Sequence, residues 1–183
     1  MMRLRFFLLS EILFMIDEKK NGLIFHEEQR FGIRMRVLVA ASDLLAIIVL
    51  LIVFSKVKDP SRLPPTYVLV LLVVVSIAAA VFYWKAKLET LVDSQALYVR
   101  FFPFQLAFRK FVASDLAQYH CREYKPGREY GGWGIRVGKS GKAYIASGNK
   151  GVQLVMSDGK PVLIGSQRPD ELVAAIDSFM KTR

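Results

Sequence analysis

The stretches VLVAASDLLAIIVLLIVF (residues 37–54) and YVLVLLVVVSIAAAVFYW (residues 67–84) decide the fold. Each is 18 residues long. As a helix, each spans about 27 Å at about 1.5 Å per residue, close to the roughly 30 Å hydrocarbon core of a bilayer. Ser42 and Asp43 are the polar residues of the first run and Ser76 that of the second. Residues 55–66 between them carry Asp59-Pro60 and Pro64-Pro65 as helix breakers. These features predict a transmembrane helical hairpin, 37–84. It divides the chain into an N-terminal segment, 1–36, and a soluble domain, 85–183.

Basic residues orient the hairpin. Arg30, Arg34 and Arg36 precede it, and Lys85, Lys87 and Arg100 follow, against Lys56, Lys58 and Arg62 in the connection. Six against three puts both termini in the cytoplasm of a cell-membrane, multi-pass protein. Residues 85–183 hold 16 Lys and Arg against 9 Asp and Glu, a net +7, and the whole chain is +10. Such a domain, fixed beside a membrane, suits anionic lipid headgroups rather than nucleic acid. Cys121 is the single cysteine, so no internal disulfide forms.

Residues 1–16 have a basic start, Arg3 and Arg5, and an apolar middle broken by Glu11. Three readings compete: a short interfacial helix, a cleaved signal peptide, or untranslated sequence ahead of a start at Met15. The signal is the least favoured, because no small-x-small cleavage site follows. Asp17–Gln29 is polar, with Asn21-Gly22 as a turn. Glu27 and Glu28 read as acids at the solvated start of the first membrane helix.

Asp43 lies seven residues past Arg36, about 10 Å into the bilayer. An acid at that depth costs roughly 3 kcal/mol on insertion scales. Counting eight back from Trp84 puts Ser76 at nearly the same depth on the antiparallel helix. Asp43 is therefore expected to hydrogen-bond Ser76 or a second subunit, with transport as the competing role.

From Leu88 the pattern changes to short strands: 88–92, 96–102, 106–112, 116–123, 133–137, 142–146, 152–156 and 161–164. In the second, Leu97, Val99 and Phe101 alternate with Tyr98 and Arg100, so one face is buried. Tyr124–Tyr130 reads as a turn-rich loop, and Asp158-Gly159 is the firmest hairpin turn. A final helix begins near Pro169 with Asp170 and Glu171 in its first turn. Leu172, Val173, Ile176, Phe179 and Met180 form its apolar stripe. The expected class is an α+β membrane protein. Its soluble part is a PH-like antiparallel β-barrel of seven or eight strands, capped by the C-terminal helix.

Three runs carry a resemblance: Tyr130-Gly131-Gly132-Trp133-Gly134-Ile135-Arg136, Gly148-Asn149-Lys150-Gly151-Val152-Gln153-Leu154 and Leu163-Ile164-Gly165-Ser166-Gln167-Arg168-Pro169. With them the chain, from about Glu27 to its end, resembles an uncharacterised bacterial membrane family that pairs two membrane helices with a bacterial PH-like domain. The resemblance implies no activity. It departs from eukaryotic PH domains, whose basic loop between the first two strands binds phosphoinositides; here that loop is Asp93-Ser94-Gln95.

Several motifs were weighed for chemistry. Gly138-Lys139-Ser140 lacks the glycine five positions earlier and the following helix that a phosphate loop needs. His120 and Cys121 point to opposite sides of a strand, so they do not share a metal. Gly131, Gly132 and Gly134 permit positive φ. The preferred reading there is a β-bulge with Trp133 in the core. The alternative is a groove for a ligand or partner, with Trp133 as anchor, Arg136 as anion contact, and Tyr124, Arg128 and Tyr130 beside it. Gln167 and Arg168 precede the final helix, where backbone N–H groups cap it or meet an anion. The expected function is a non-enzymatic membrane-anchored binding or scaffold module. Its expected partners are the bilayer, anionic headgroups, a membrane or cytoplasmic protein, or a second copy, and no cofactor. The alternative is a transporter subunit or accessory using Asp43.

Overall fold

The computed structural model describes residues 22–56, 66–138 and 140–181. The expectations for residues 1–21, for the breakers Asp59-Pro60 and Pro64-Pro65, and for Lys139 lie outside them. The first element is β1 (Leu23–Arg30), a strand. Helices α1 (Ile33–Lys56) and α2 (Thr66–Lys85) follow. Then come β2 (Lys87–Asp93), β3 (Ala96–Phe102), β4 (Arg109–Val112) and β5 (Leu116–Glu123). A short helix α3 (Pro126–Tyr130), β6 (Gly134–Gly138), β7 (Gly141–Ile145), β8 (Lys150–Met156), β9 (Pro161–Gly165) and α4 (Pro169–Lys181) complete the order.

β1 corrects the expected helix start. Its side chains alternate, Phe25, Glu27 and Gln29 buried and Ile24, His26, Glu28 and Arg30 exposed, which is the period of a strand. It pairs antiparallel with β2, Glu28 opposite Glu89 and Arg30 opposite Lys87. The soluble body therefore does not begin at residue 85. Its first strand precedes the helices, and the helix pair is an insertion between two neighbouring strands. α1 starts only at Ile33, with no acid in its first turn. Glu27 and Glu28 had suggested a helix because acids suit that end; buried hydrogen-bond partners explain Glu27 instead.

The strands form two sheets, β1-β2-β3-β4 and β5-β8-β9-β7-β6, rather than a closed barrel. The chain changes sheet through a tight turn at Ala113–Asp115. β7 and β9 pair in parallel, Lys142 opposite Val162 and Tyr144 opposite Ile164, so the expected all-antiparallel order fails there. β9 slots between β8 and β7. Its Val162-Leu163-Ile164 run is buried throughout, as a central strand requires. The Asp158-Gly159 turn closes the β8–β9 hairpin, with Gly159 at φ 80°.

α4 packs against strands of both sheets. Leu172, Ile176 and Phe179 are buried and Val173 and Met180 half-buried against the same core. That core includes Phe25, Leu88, Leu97, Phe101, Tyr144, Leu154 and Ile164. The fold class is thus α+β, with a C-terminal helix closing the space between the sheets.

α1 and α2 lie antiparallel. Phe31 stacks on Tyr83 at 4.8 Å, and the Arg36 guanidinium sits 5.3 Å from the Trp84 ring. Among the described residues one helix, through Met35–Ile52, is long and apolar enough to cross a membrane; Val70–Lys85 is a shorter apolar stretch. Two equal spans had been expected.

Candidate functional site

Along the helix pair, Ser76 Oγ donates to Asp43 Oδ1 at 3.2 Å. The second carboxylate oxygen, Oδ2, is buried and has no hydrogen-bond partner among the described residues. A side-chain hydrogen bond of this kind contributes about 1 kcal/mol.

The groove predicted around Trp133 divides. Gly131, Gly132 and Gly134 adopt φ of 71°, 128° and 102°, and they build a turn, not a bulge. Trp133 is 39% exposed and is therefore no core residue. It lines a cleft of about 540 Å³ with Ile33, Met35 and Leu38 of α1 and with Ala146, Ser147 and Gly148. Arg136 turns its Nε back to the Trp133 carbonyl at 2.7 Å, which holds the turn shut.

Tyr124 and Tyr130 do not line that cleft. Both are buried in a small second core with Ala143, Ile145 and Leu163. Their sequence neighbours made them candidates, but the α3 turn swings both rings inward, edge to face at 6.3 Å. Burial pushes both phenols up. Arg122 donates to Glu129 at 2.8 Å and to the Tyr130 hydroxyl at 2.9 Å. The Lys125 N–H first, and Arg122 next, hold the Glu129 carboxyl below its usual value. Arg128 is exposed and stands outside the cleft.

Gln167 and Arg168 were expected either to cap α4 or to meet an anion there. The structure supplies both from within. The buried Glu27 carboxylate accepts from Ser166 Oγ at 2.6 Å and from the Gln167 N–H at 2.8 Å. Arg168 donates to the His26 carbonyl at 2.7 Å and lies over the Phe25 ring at 4.9 Å. Gln29 Nε2 adds a buried bond to the Gly165 carbonyl at 2.7 Å. This corner latches β1, and so the base of α1, to the β9–α4 junction.

Sequence reasoning missed that latch and a second polar assembly. Lys87 bridges Glu28, at 2.7 Å, and Glu89. The Lys87 ammonium hydrogen bond, with Arg30 adding to it, holds the Glu28 carboxyl below its usual value. Arg100 binds Glu89, donates to the Leu106 carbonyl at 3.2 Å and stacks over Phe108 at 4.2 Å. The period-two spacing of Phe25, Glu27, Gln29 and Phe31 is that of a strand, but it does not show which groups the inward-facing Glu27 and Gln29 meet.

Burial, and then the Asp170 carboxylate 3.4 Å away, raises the Cys121 thiol, the opposite of what activates a nucleophile. Among the described residues no three His, Cys, Asp or Glu side chains gather as a metal site. A second cleft, about 600 Å³, opens at the other end of β7 between Arg109, Lys142, Lys160 and Asp158. Lys160 is already paired with Asp158 there.

These features define a class: a two-sheet α+β body with an apolar helix pair inserted between its first two strands. The chain belongs to the family of unknown function DUF6141, which it matches over residues 16–182. No curated protein matches it in sequence.

Proposed function

We infer that the chain is a non-enzymatic, membrane-anchored binding or scaffold module of the cell membrane. In this reading α1 and α2 cross the bilayer as a hairpin, and the body and both termini lie in the cytoplasm. The observation that carries it is the surface of α1. Met35–Ile52 is apolar, long enough to span, and unburied by the rest of the chain. An apolar surface of that extent needs a covering phase, and lipid is one. Supporting it, the Ser42 and Ser55 hydroxyls donate to the Val39 and Ile52 carbonyls of their own helix, which leaves no demand for water. α2 has 20 residues, about 30 Å of helix. Arg36 and Lys85 sit at the body end of the pair, the side the positive-inside rule assigns to the cytoplasm.

The body is read as PH-like on its order of strands followed by a plugging helix; the parallel β7–β9 pair is its departure. Its proposed partners are anionic headgroups and a membrane or cytoplasmic protein, with a second copy as a further candidate. The test is alkaline carbonate extraction of membranes holding the full chain. Retention in the pellet is expected, and release to the supernatant refutes the anchor. An impermeant thiol reagent should reach Cys121 only after the cells are opened; labelling in intact cells refutes the orientation.

The transporter-accessory reading is favoured by the unpartnered Asp43 Oδ2. It requires that Asp43→Asn abolish a flux or growth phenotype while leaving the chain in the membrane.

A further inference from the structure

We propose that the body rests on the bilayer surface through two apolar contacts, one on each side of the helix pair: the 103–108 loop beside α2 and the Trp133 turn beside α1. This deepens the membrane reading and rests on it. Phe104 is 52% exposed and Leu106 75% exposed, yet the loop that carries them is firmly built. The Gln105 N–H donates to the Phe101 carbonyl at 2.8 Å, Arg100 holds the Leu106 carbonyl, and Phe104 packs edge to face on Phe101 at 5.6 Å. Phe104 also meets Phe82 of α2 at 5.0 Å. Phe82 lies three residues before the end of α2 at Lys85, about 4.5 Å along the axis. On the other side, Trp133 shares its cleft with Ile33, Met35 and Leu38, in the first two turns of α1.

The helices are antiparallel, so both contacts stand at one height, the level where the apolar helix surface meets the body. That level carries Arg36 and Lys85, cations suited to headgroups, and aromatic rings favour it. The apolar surfaces of Phe104, Leu106 and Trp133 thus continue the surface of the helices. Lipid, not a protein, is the occupant that covers helices and body in one piece.

The test uses the full chain in vesicles of phosphatidylcholine and phosphatidylglycerol. Trp84 and Trp133 are the two tryptophans, so Trp84→Phe leaves Trp133 as the reporter. In a background lacking both, Leu106→Trp reports on the loop. Val137→Trp is the control, because Val137 is 81% exposed and lines the cleft at the far end of β7. Lipids brominated near the headgroup end of the acyl chains should quench Trp133 and Leu106→Trp at least twofold and leave Val137→Trp unchanged. Failure of either reporter to respond, in a chain that resists carbonate extraction, overturns the proposal and leaves the anchor standing. Equal quenching at Val137→Trp overturns it too, since no defined face then meets lipid. Shielding of Trp133 from aqueous acrylamide without quenching by brominated lipid assigns the face to a protein or a second copy, and likewise overturns it. Release by carbonate is the separate result that removes the anchor itself.

Discussion

Replacing Glu27 with alanine should loosen β1 and little else. Its carboxylate is buried and accepts from Ser166 Oγ at 2.6 Å and from the Gln167 N–H at 2.8 Å. A hydrogen bond to a charged group contributes about 1.5–3 kcal/mol. Ser166 Oγ keeps one partner in the variant, since it also accepts from the Arg168 N–H at 3.0 Å. The Gln167 N–H loses its acceptor altogether. Removing the buried charge returns part of its desolvation cost. The balance is a local loss of about 2–3 kcal/mol, which at about 1.4 kcal/mol per decade is roughly 30- to 140-fold. Native-state hydrogen exchange on the full chain in nanodiscs reads this directly. Amides of β1 should exchange roughly 30- to 140-fold faster, while those pairing β8 with β9 change little. Adding Gln29→Leu should cost less than its effect alone, because both bonds secure one corner. Exchange within threefold of the parent across β1 would falsify the latch, and with it the account of how α1 is fixed to the body.

A double-mutant cycle of Asp43→Leu and Ser76→Ala, read by energy transfer between the helix ends, should give a coupling of about 0.6 kcal/mol; additive single effects count against the bond. Gly141 stands at φ +93°, and a Cβ there would lie 2.3 Å from the Pro161 carbonyl oxygen. Gly141→Ala should therefore cost about 2–4 kcal/mol in denaturant unfolding of the full chain, and a loss under about 0.5 kcal/mol contradicts the parallel β7–β9 register. The Asp177 carboxylate, accepting from the Tyr119 hydroxyl at 2.5 Å, pushes that phenol up to about 12, and burial adds to this. The folded state then holds the proton more tightly than the unfolded chain, whose phenol titrates near its ordinary 10. The stabilisation is whole below pH 10 and disappears as pH rises toward 12. Tyr119→Phe should flatten that alkaline fall in melting temperature, and an unchanged profile rejects the assignment.

The strands after Leu88 were legible because turn residues and alternating apolar side chains mark them locally, but the one expected over 106–112 forms only over Arg109–Val112, its first residues belonging to the 103–108 loop. The Asp158-Gly159 turn and the α4 stripe were legible for the same reason. Pairing order was not. Val162-Leu163-Ile164 is apolar at every position, so its pattern says buried on both faces but does not say between which strands. β1 was missed for a different reason. Its inward positions include Glu27 and Gln29, and burial of polar residues is visible only once their partners, Ser166, Gln167 and Gly165, some 136 to 140 residues away, are in place. Asp43 and Ser76 could be set side by side because a helix converts residue count into rise along its axis. Tyr124 and Tyr130 were misplaced because a five-residue helix in a Pro-Gly segment, expected as a loop, turns Tyr130 inward onto the buried Tyr124 ring.

The insertion of the helices between paired strands has a mechanical consequence. β1 and β2 are hydrogen-bonded up to Arg30 and Lys87, and α1 and α2 begin and end within three residues of that pair. Paired strands lie about 4.8 Å apart, whereas packed helices need 8–10 Å. The gap is filled by Phe31 stacked on Tyr83, with Phe101 behind Phe31 at 5.7 Å. Gly32 alone separates Phe31 from α1, and Ala86 alone separates α2 from β2. Ala86 is buried, and the Gly32 carbonyl accepts from the Met35 N–H at 3.0 Å and the Arg36 N–H at 3.3 Å, so neither junction is a free linker. Rotation of the helix pair must break strand pairing or the Phe31–Tyr83 stack, whereas a flexible tether would break nothing. The helices are thus held to the body at both junctions, and the Glu27 corner secures the strand that leads into α1.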